Sequence, residues 1–489
     1  MGQMTGGVNP FLPSWEYIPD GEPHVFGDRV YLYGSHDRFG GPLFCMNDYV
    51  CWSAPVTDLT QWKYEGVIYS RNQDSLNRSG RRRFYAPDVT QGPDGRYYLF
   101  YTLDFVGPIR MSVAVCDTPA GLYRFHGHVC YPDGHVWGSH SGDPYPFDPG
   151  VLTDDDGRVY LYSGFAIKMN PLASGLKNLT NPGGVGVELE ADMLTMKTEP
   201  KLLLPSKGNP GAFPGHAFFE ASSMRKVDGK YCYVYSSENN HELCWAMSDQ
   251  PLGDYSFGGT LVDIGDVFLD GQTDESLGKN YLGNTHGGLL EVGGQWYTFY
   301  HRQTNRHTYS RQMCAEKLTR DAAGGFRQAE ITSCGFSPEP LPGEGVYEAR
   351  IACNLWSKQG VARVDVPLSK WKLRKHPYFT QTGKDREGQG DQYIANMRDG
   401  AVAGFKRFRF TFSPVLRLIL GGHGQGVMEV STRPDFGEIH ASVPVSLAGN
   451  ALTDFEGSTT IPAGDHPLYF RYCGQGAIDF HTFFLLRKK

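Results

Sequence analysis

The chain has 489 residues, too long for one ordinary core, so two domains are expected. Aromatics make up 13%, with 61 Gly and 31 Pro, which excludes a helical bundle and suits strands joined by many turns. Lys plus Arg total 46 against 53 Asp plus Glu, and the resulting charge of −7 offers no footprint for nucleic acid or an anionic membrane.

Met1 to Asn9 carries no basic run and no apolar stretch, so no secretory signal is expected. No apolar run approaches the roughly 20 residues that span a bilayer. The ten cysteines are scattered, often inside strand-like runs (Cys116, Cys232, Cys473), with no CxxC pair. They read as reduced thiols of a cytoplasmic protein.

From residue 27 one phrase recurs: a tight turn, a basic or polar residue, then an alternating aromatic run. It reads Gly27-Asp28-Arg29-Val30-Tyr31-Leu32-Tyr33 and returns as Asp94-Gly95-Arg96-Tyr97-Tyr98-Leu99-Phe100-Tyr101. The third and fourth copies are Asp156-Gly157-Arg158-Val159-Tyr160-Leu161-Tyr162 and Asp228-Gly229-Lys230-Tyr231-Cys232-Tyr233-Val234-Tyr235. Gly293-Gly294-Gln295-Trp296-Tyr297-Thr298-Phe299-Tyr300 is the last. Each copy predicts a hairpin, and a spacing of about 60 to 70 residues leaves room for about four strands per unit. Five such units arranged radially make a five-bladed β-propeller, expected over residues 1–330.

Six to eight residues before each hairpin turn stands an ionisable residue: Asp20, Asp88, Asp148, Glu220 and His286. Innermost strands line a propeller's channel, so these five are expected to converge near one end of its axis. One Asp beside a Pro is an ordinary turn former; the same slot filled by an ionisable group in every repeat points to chemistry. Two carboxyl groups across a pocket suit glycosidic hydrolysis, one protonated to serve the leaving oxygen and one ionised to activate water. A third acid beside the first holds its pKa up. No HExxH or Cys/His zinc spacing appears, so no metal is required.

In these motifs the chain resembles glycoside hydrolase family 43. They are Ile18-Pro19-Asp20-Gly21-Glu22-Pro23, Tyr85-Ala86-Pro87-Asp88, Phe147-Asp148-Pro149, Phe219-Glu220-Ala221-Ser222-Ser223 and Asn284-Thr285-His286-Gly287. The resemblance implies an inverting enzyme with Asp20 as general base, Asp148 as pKa modulator and Glu220 as general acid. It further implies Asp88 behind the substrate-contacting residues, His286 facing a calcium or other ion through water, and Arg311 as a substrate-binding arginine. Many members have Gly-Pro after the acid where this chain has Ala-Ser-Ser. Glu22 shares a strand face with Asp20 and ranks behind it as base. Phe39, Tyr85 and Phe219 are candidate sugar platforms.

The prolines at 338, 340 and 342 mark a linker or wrapping segment over 331–345. Residues 346–489 return to short alternating strands, ending in Leu468–Tyr472 and Ala477–Phe480 as two closing strands, and predict a β-sandwich. This part resembles family 6 carbohydrate-binding modules, which implies a second structural calcium and offers Trp356, Trp371 and Tyr378 as platforms; the competing reading is a module that only packs on the propeller and shapes its rim. The function expected is release of terminal pentose from plant oligosaccharide or polysaccharide, as α-L-arabinofuranosidase or β-xylosidase. Endo-arabinanase is the alternative within the class, and a non-catalytic sugar-binding propeller the alternative outside it.

Overall fold

The computed structural model describes residues 6–104, 107–366, 372–388, 391–449 and 451–488. Five antiparallel sheets follow one another in sequence, each with its strands in chain order. Blade 1 holds Glu22–Phe26, Arg29–Tyr33, Tyr49–Pro55 and Lys63–Tyr69. Blade 2 begins at Phe84–Gln91, blade 3 at Gly150–Thr153 and blade 4 at Phe218–Val227, each with four strands. Blade 5 has three among the described residues: Leu289–Val292, Gln295–Thr304 and His307–Leu318. Every repeated phrase forms the first hairpin of its blade. In blade 4 the two turn residues, Asp228 and Gly229, have φ of 51° and 77°, the left-handed pair that matches the twist of the flanking strands.

Alternation along each second strand explains how the blades stack. Leu99 and Tyr101 face blade 1, packing with Tyr33 and Tyr49, while Tyr98 and Phe100 face Val159 and Leu161 of blade 3. The pattern continues through Tyr162 and Tyr233 between blades 3 and 4, then Val234 and Trp296 between blades 4 and 5. Phe299 packs with Val30 and Leu32, so an apolar interface also joins blade 5 to blade 1 and the ring is closed. Each such buried ring contributes roughly 1.5–3 kcal/mol.

The N-terminal segment clasps the ring from outside. Asn9 uses its side-chain amide like a strand: Nδ2 donates to Ala315 O and Oδ1 accepts from Ala315 N, both at 2.9 Å. Its backbone N–H donates to Ser333 O at 3.0 Å, and Phe336 N donates to Gly7 O at 2.8 Å. This clasp occupies the side of blade 5 where the other blades carry a fourth strand.

Beyond the propeller lies one ten-stranded sheet wrapped around its own core of Phe405, Leu418, Phe470, Phe480 and Phe483, among others. Two long strands, Val415–Ser431 and Gly464–Leu486, pair along their length. The two closing strands expected from sequence are thus one strand of 23 residues. Its glycines do not break it, because Gly474 and Gly476 pair with Gly426 and Gly424. A Cβ at Gly474 would stand 2.4 Å from Gln425 O, so only glycine permits that approach. Within the stretch expected to be linker, Leu341–Pro342 pairs in parallel with the strand Ala401–Phe410. No helix among the described residues is long and apolar enough to cross a membrane.

Candidate active site

Four of the five blade residues approach one another. Asp20, Asp148, Glu220 and His286 line a single pocket of about 280 Å3. Asp20 and Asp148 each stand two residues before the first strand of their blade, at φ 57° and 47°, and Ala221 after Glu220 has φ 69°. These left-handed conformations, uncommon for residues with a Cβ, turn the carboxyl groups inward.

Asp88 does not join them. It is fully buried, its Oδ2 accepting from Val151 N at 2.7 Å and its Oδ1 lying 2.6 Å from His24 Nε2, so it ties blade 2 to its neighbours. The expectation that all five ionisable groups converge therefore holds for four. Glu22 also misses the pocket, taking hydrogen bonds from Ser223 Oγ and Arg225 NH2 at 2.9 and 2.7 Å.

The carboxyl groups of the pocket differ in charge. Burial works to raise the pKa of Asp20, but Arg311 foremost, with His286, outweighs it and holds the group below the ordinary aspartate range. Arg311 NH1 donates to Asp20 Oδ1 at 2.9 Å. The same guanidinium grips Asp37 through Nε and NH2 at 2.8 and 3.1 Å, which fixes its plane. Asp148 accepts one bond, from Ala221 N at 3.2 Å, and burial with the charge of Asp20 pushes it to about 7. Glu220 accepts no hydrogen bond from the described residues, and burial followed by the charge of Asp148 pushes it to about 8. At neutral pH the pocket therefore holds an ionised acid and a protonated one.

His286 is buried between Asp148 Oδ2 at 3.6 Å and Glu22 Oε1 at 3.7 Å. Burial opposes its charge, yet Glu22, Asp148 and Asp20 raise it to about 9. His301 behaves oppositely: burial and Arg311 lower it to about 3, and its Nδ1 accepts from Asp20 N at 3.3 Å as a neutral ring.

Aromatic rings form the wall. Tyr85, Phe147, Phe165 and Phe219 follow one another at centroid distances of 5.6, 4.8 and 5.9 Å, and Phe44 and Tyr309 meet edge-on at 4.8 Å. Tyr85, Phe219 and Arg311 line the pocket, the arginine with its Nε, NH1 and NH2 turned to Asp37 and Asp20. Phe39 does not: it stacks on Tyr17 at 5.6 Å, and Phe44, five residues on, takes the place at the wall. The loop between them curls back because Asp37 Oδ1 accepts from Cys45 N at 2.9 Å. Asn240, Asn284 and Asp365 also line the pocket and were not singled out from sequence. Asn284 sits inside a quoted motif, two residues before His286, and was legible there; Asp365 belongs to the C-terminal part and carries no local signal.

A wider groove of about 630 Å3 lies between Ser276–Lys279 and the C-terminal sheet. Its acids are paired, Asp399 with Lys358 and Asp435 with Arg433, so it holds no free acid–base set. Of the C-terminal candidates for sugar platforms, Trp356 is part-covered by Lys279 and Tyr469, Tyr378 lies under Arg306, and Trp371 falls outside the described residues.

Comparison with known proteins adds three relatives and a family. The family profile described as Glycosyl hydrolases family 43 matches residues 9–326. A "Xylosidase/arabinosidase" of Thermoclostridium stercorarium is 47% identical over 479 residues, 98% of each chain. An "Extracellular endo-alpha-(1->5)-L-arabinanase" of Thermotoga petrophila is 32% identical over 68% of this chain and 74% of its own. Among solved structures, a GH43 beta-xylosidase/alpha-arabinofuranosidase from a compost microbial metagenome, in complex with xylotriose and calcium-free, superposes with TM-score 0.51 at 25% identity, covering 67% of this chain and 98% of that one.

Proposed function

The chain belongs to family 43 of the glycosyl hydrolases, and on that premise we propose that Asp20, Glu220 and Asp148 hydrolyse the bond to a terminal pentose with inversion at the anomeric carbon. Asp20 takes a proton from water as its oxygen attacks that carbon. Glu220 gives its proton to the glycosidic oxygen as the carbon–oxygen bond breaks. Proton exchange with solvent then restores both groups. Asp148 keeps Glu220 protonated by its proximity. Tyr85 and Phe219 flank the sugar, and Arg311 holds Asp20 ionised. The observation that carries this reading is one pocket lined by two acids in opposite surroundings, Asp20 bonded to Arg311 and Glu220 without a donor among the described residues, which favours ionisation of the first and protonation of the second.

The substrates are α-L-arabinofuranosides and β-D-xylosides of plant oligosaccharides, supported by the relative that aligns over nearly the whole chain. Similarity to an arabinanase raises an endo reading. The segment carrying Asp365 lies against the pocket and favours a closed end over an open cleft. Catalysis in the family needs no cofactor. Glu22 Oε1 and His286 Nε2 are buried without a hydrogen bond, a pair that fits a water and, through it, a hydrated calcium, which would favour the neutral His286 ring over the charged one that Glu22, Asp148 and Asp20 promote. The C-terminal ten-stranded sheet, read from its sequence as a family 6-like module, acts as a rim former. The ten free cysteines, eight of them buried, support a reducing, cytoplasmic setting.

The test offers 4-nitrophenyl α-L-arabinofuranoside, 4-nitrophenyl β-D-xyloside and the matching oligosaccharides, with the product anomer followed by NMR. Pentose released with inverted configuration is expected. Retained configuration, or no release from any of them, would sink the proposal.

A further inference from the structure

One wall of the pocket comes from outside the propeller. Residues Ala362–Val364 run beside blade 5, with Val364 N donating to Leu282 O at 2.8 Å and Leu282 N donating to Ala362 O at 3.3 Å. The next residue, Asp365, is thereby delivered to the pocket that holds Glu220. Its carboxylate is held on two sides: Asn240 Nδ2 donates to Oδ2 at 2.9 Å, and Arg363 clamps both oxygens, NH2 donating to Oδ2 at 3.0 Å and Nε to Oδ1 at 3.2 Å, which leaves one lone pair of Oδ1 for a ligand. Arg363 is itself anchored on the propeller by Glu275 at 3.0 Å and by Asn239 O at 3.1 Å. Such an arm fixes the carboxylate without burying it, since 16% of the side chain remains exposed.

Position decides what this carboxylate meets. Asp20 and Asp148 are buried at the pocket floor, whereas Glu220 and Asp365 are part-exposed nearer the solvent. Asn240, the partner of Asp365, lies on blade 4 with Glu220, and the general acid must stand beside the leaving oxygen. A sugar attached through that oxygen must leave by the part-exposed side of the pocket, whose lining includes Asp365.

We propose that Asp365, oriented by Asn240 and Arg363, forms the subsite for the leaving-group sugar, accepting a hydrogen bond from a hydroxyl of a neutral glycosyl unit. A part-exposed carboxylate with a free lone pair suits a hydroxyl donor and repels a uronic acid at the same place. The inference rests on the reading of Glu220 as the acid, and it makes the C-terminal part a specificity element of the propeller's site.

The test compares Asp365→Ala with wild type on a xylo- or arabino-oligosaccharide and on the 4-nitrophenyl pentoside, which has no leaving sugar. The ratio of kcat/KM for oligosaccharide over aryl substrate should fall about tenfold, chiefly through KM for the oligosaccharide. Asp365→Asn, which keeps one acceptor oxygen, should fall between the two and carries the test if Asp365→Ala does not fold. An unchanged ratio, or an equal loss on both substrates, overturns the subsite. Wild type inactive on both substrates would instead overturn the assignment of Glu220 on which it rests.

Discussion

Two buried carboxylate centres sit in the same propeller and have opposite surroundings. Glu16 is saturated: Oε1 accepts from Arg386 NH1 at 2.6 Å, pairs with His36 Nε2 at 3.0 Å and accepts from Tyr17 N at 3.2 Å, while Oε2 accepts from Trp52 Nε1 at 2.9 Å. Burial raises its pKa, but His36 and Arg386 outweigh burial and the group stays ionised. Asp148 and Glu220 share one backbone N–H between them and are pushed to about 7 and about 8. Glu16 and Asp148 are buried and Glu220 is largely so, and what chiefly separates the two centres is the supply of donors. Where donors are plentiful a buried acid joins parts of the chain, here blade 1 to Arg386 of the C-terminal part. Where they are withheld it keeps a proton to give away.

The contrast breaks first if Glu220 proves structural. Glu220→Ala should cost about 10³-fold in kcat on an oligosaccharide, whose leaving oxygen needs the proton, and far less on an aryl pentoside. Its melting temperature should hold or rise, because an uncompensated buried acid has gone; a clear fall would erase the distinction. Glu16→Ala should do the reverse, losing about 3 kcal/mol in denaturant unfolding as His36 and Arg386 lose their partner, with turnover of the folded enzyme close to wild type.

The finest test is in pH. For wild type, kcat/KM on an oligosaccharide should decline above about pH 8 as Glu220 loses its proton. The acid limb should lie below the ordinary aspartate value, where Asp20 gains one. The negative charge of Asp148 raises the Glu220 pKa, so Asp148→Asn removes that contribution and should move the alkaline limb down by about one unit. An alkaline limb that stays in place would detach Asp148 from Glu220.

The ring and its inner slots were legible because their signals are local and recur. A tight turn followed by alternating aromatics states a hairpin five times over, and Asp20, Asp148, Glu220 and His286 stand seven or eight residues before it. Partners across the fold were not legible. Asp37 meets Arg311 at a separation of 274 residues and Asn240 meets Asp365 at 125, with no periodic pattern to announce either. Phe39 and Phe44 are alike in composition, and only the curl of their loop decides which ring faces the pocket. Asp88 shares the slot but not the destination, because Val151 N and His24 satisfy it within the wall. Among the described residues blade 5 carries three strands and Asn9 lies along its outer edge, an exchange that a single asparagine side chain does not advertise.

That clasp bears on how such enzymes gain and lose modules. Residues 333 and 336 hold the N-terminal segment in place, and residues 362–365 complete the mouth, so the proline-rich stretch at 338–342 is a poor seam although it looks like one. A recombination crossover placed there would leave the ring fastened but hand it a foreign lip. One placed after residue 365 would keep the lip but cut the C-terminal sheet, whose strands at 341–342, 345–348 and 354–356 pair with strands beyond residue 400, so the lip is inherited only with that whole sheet.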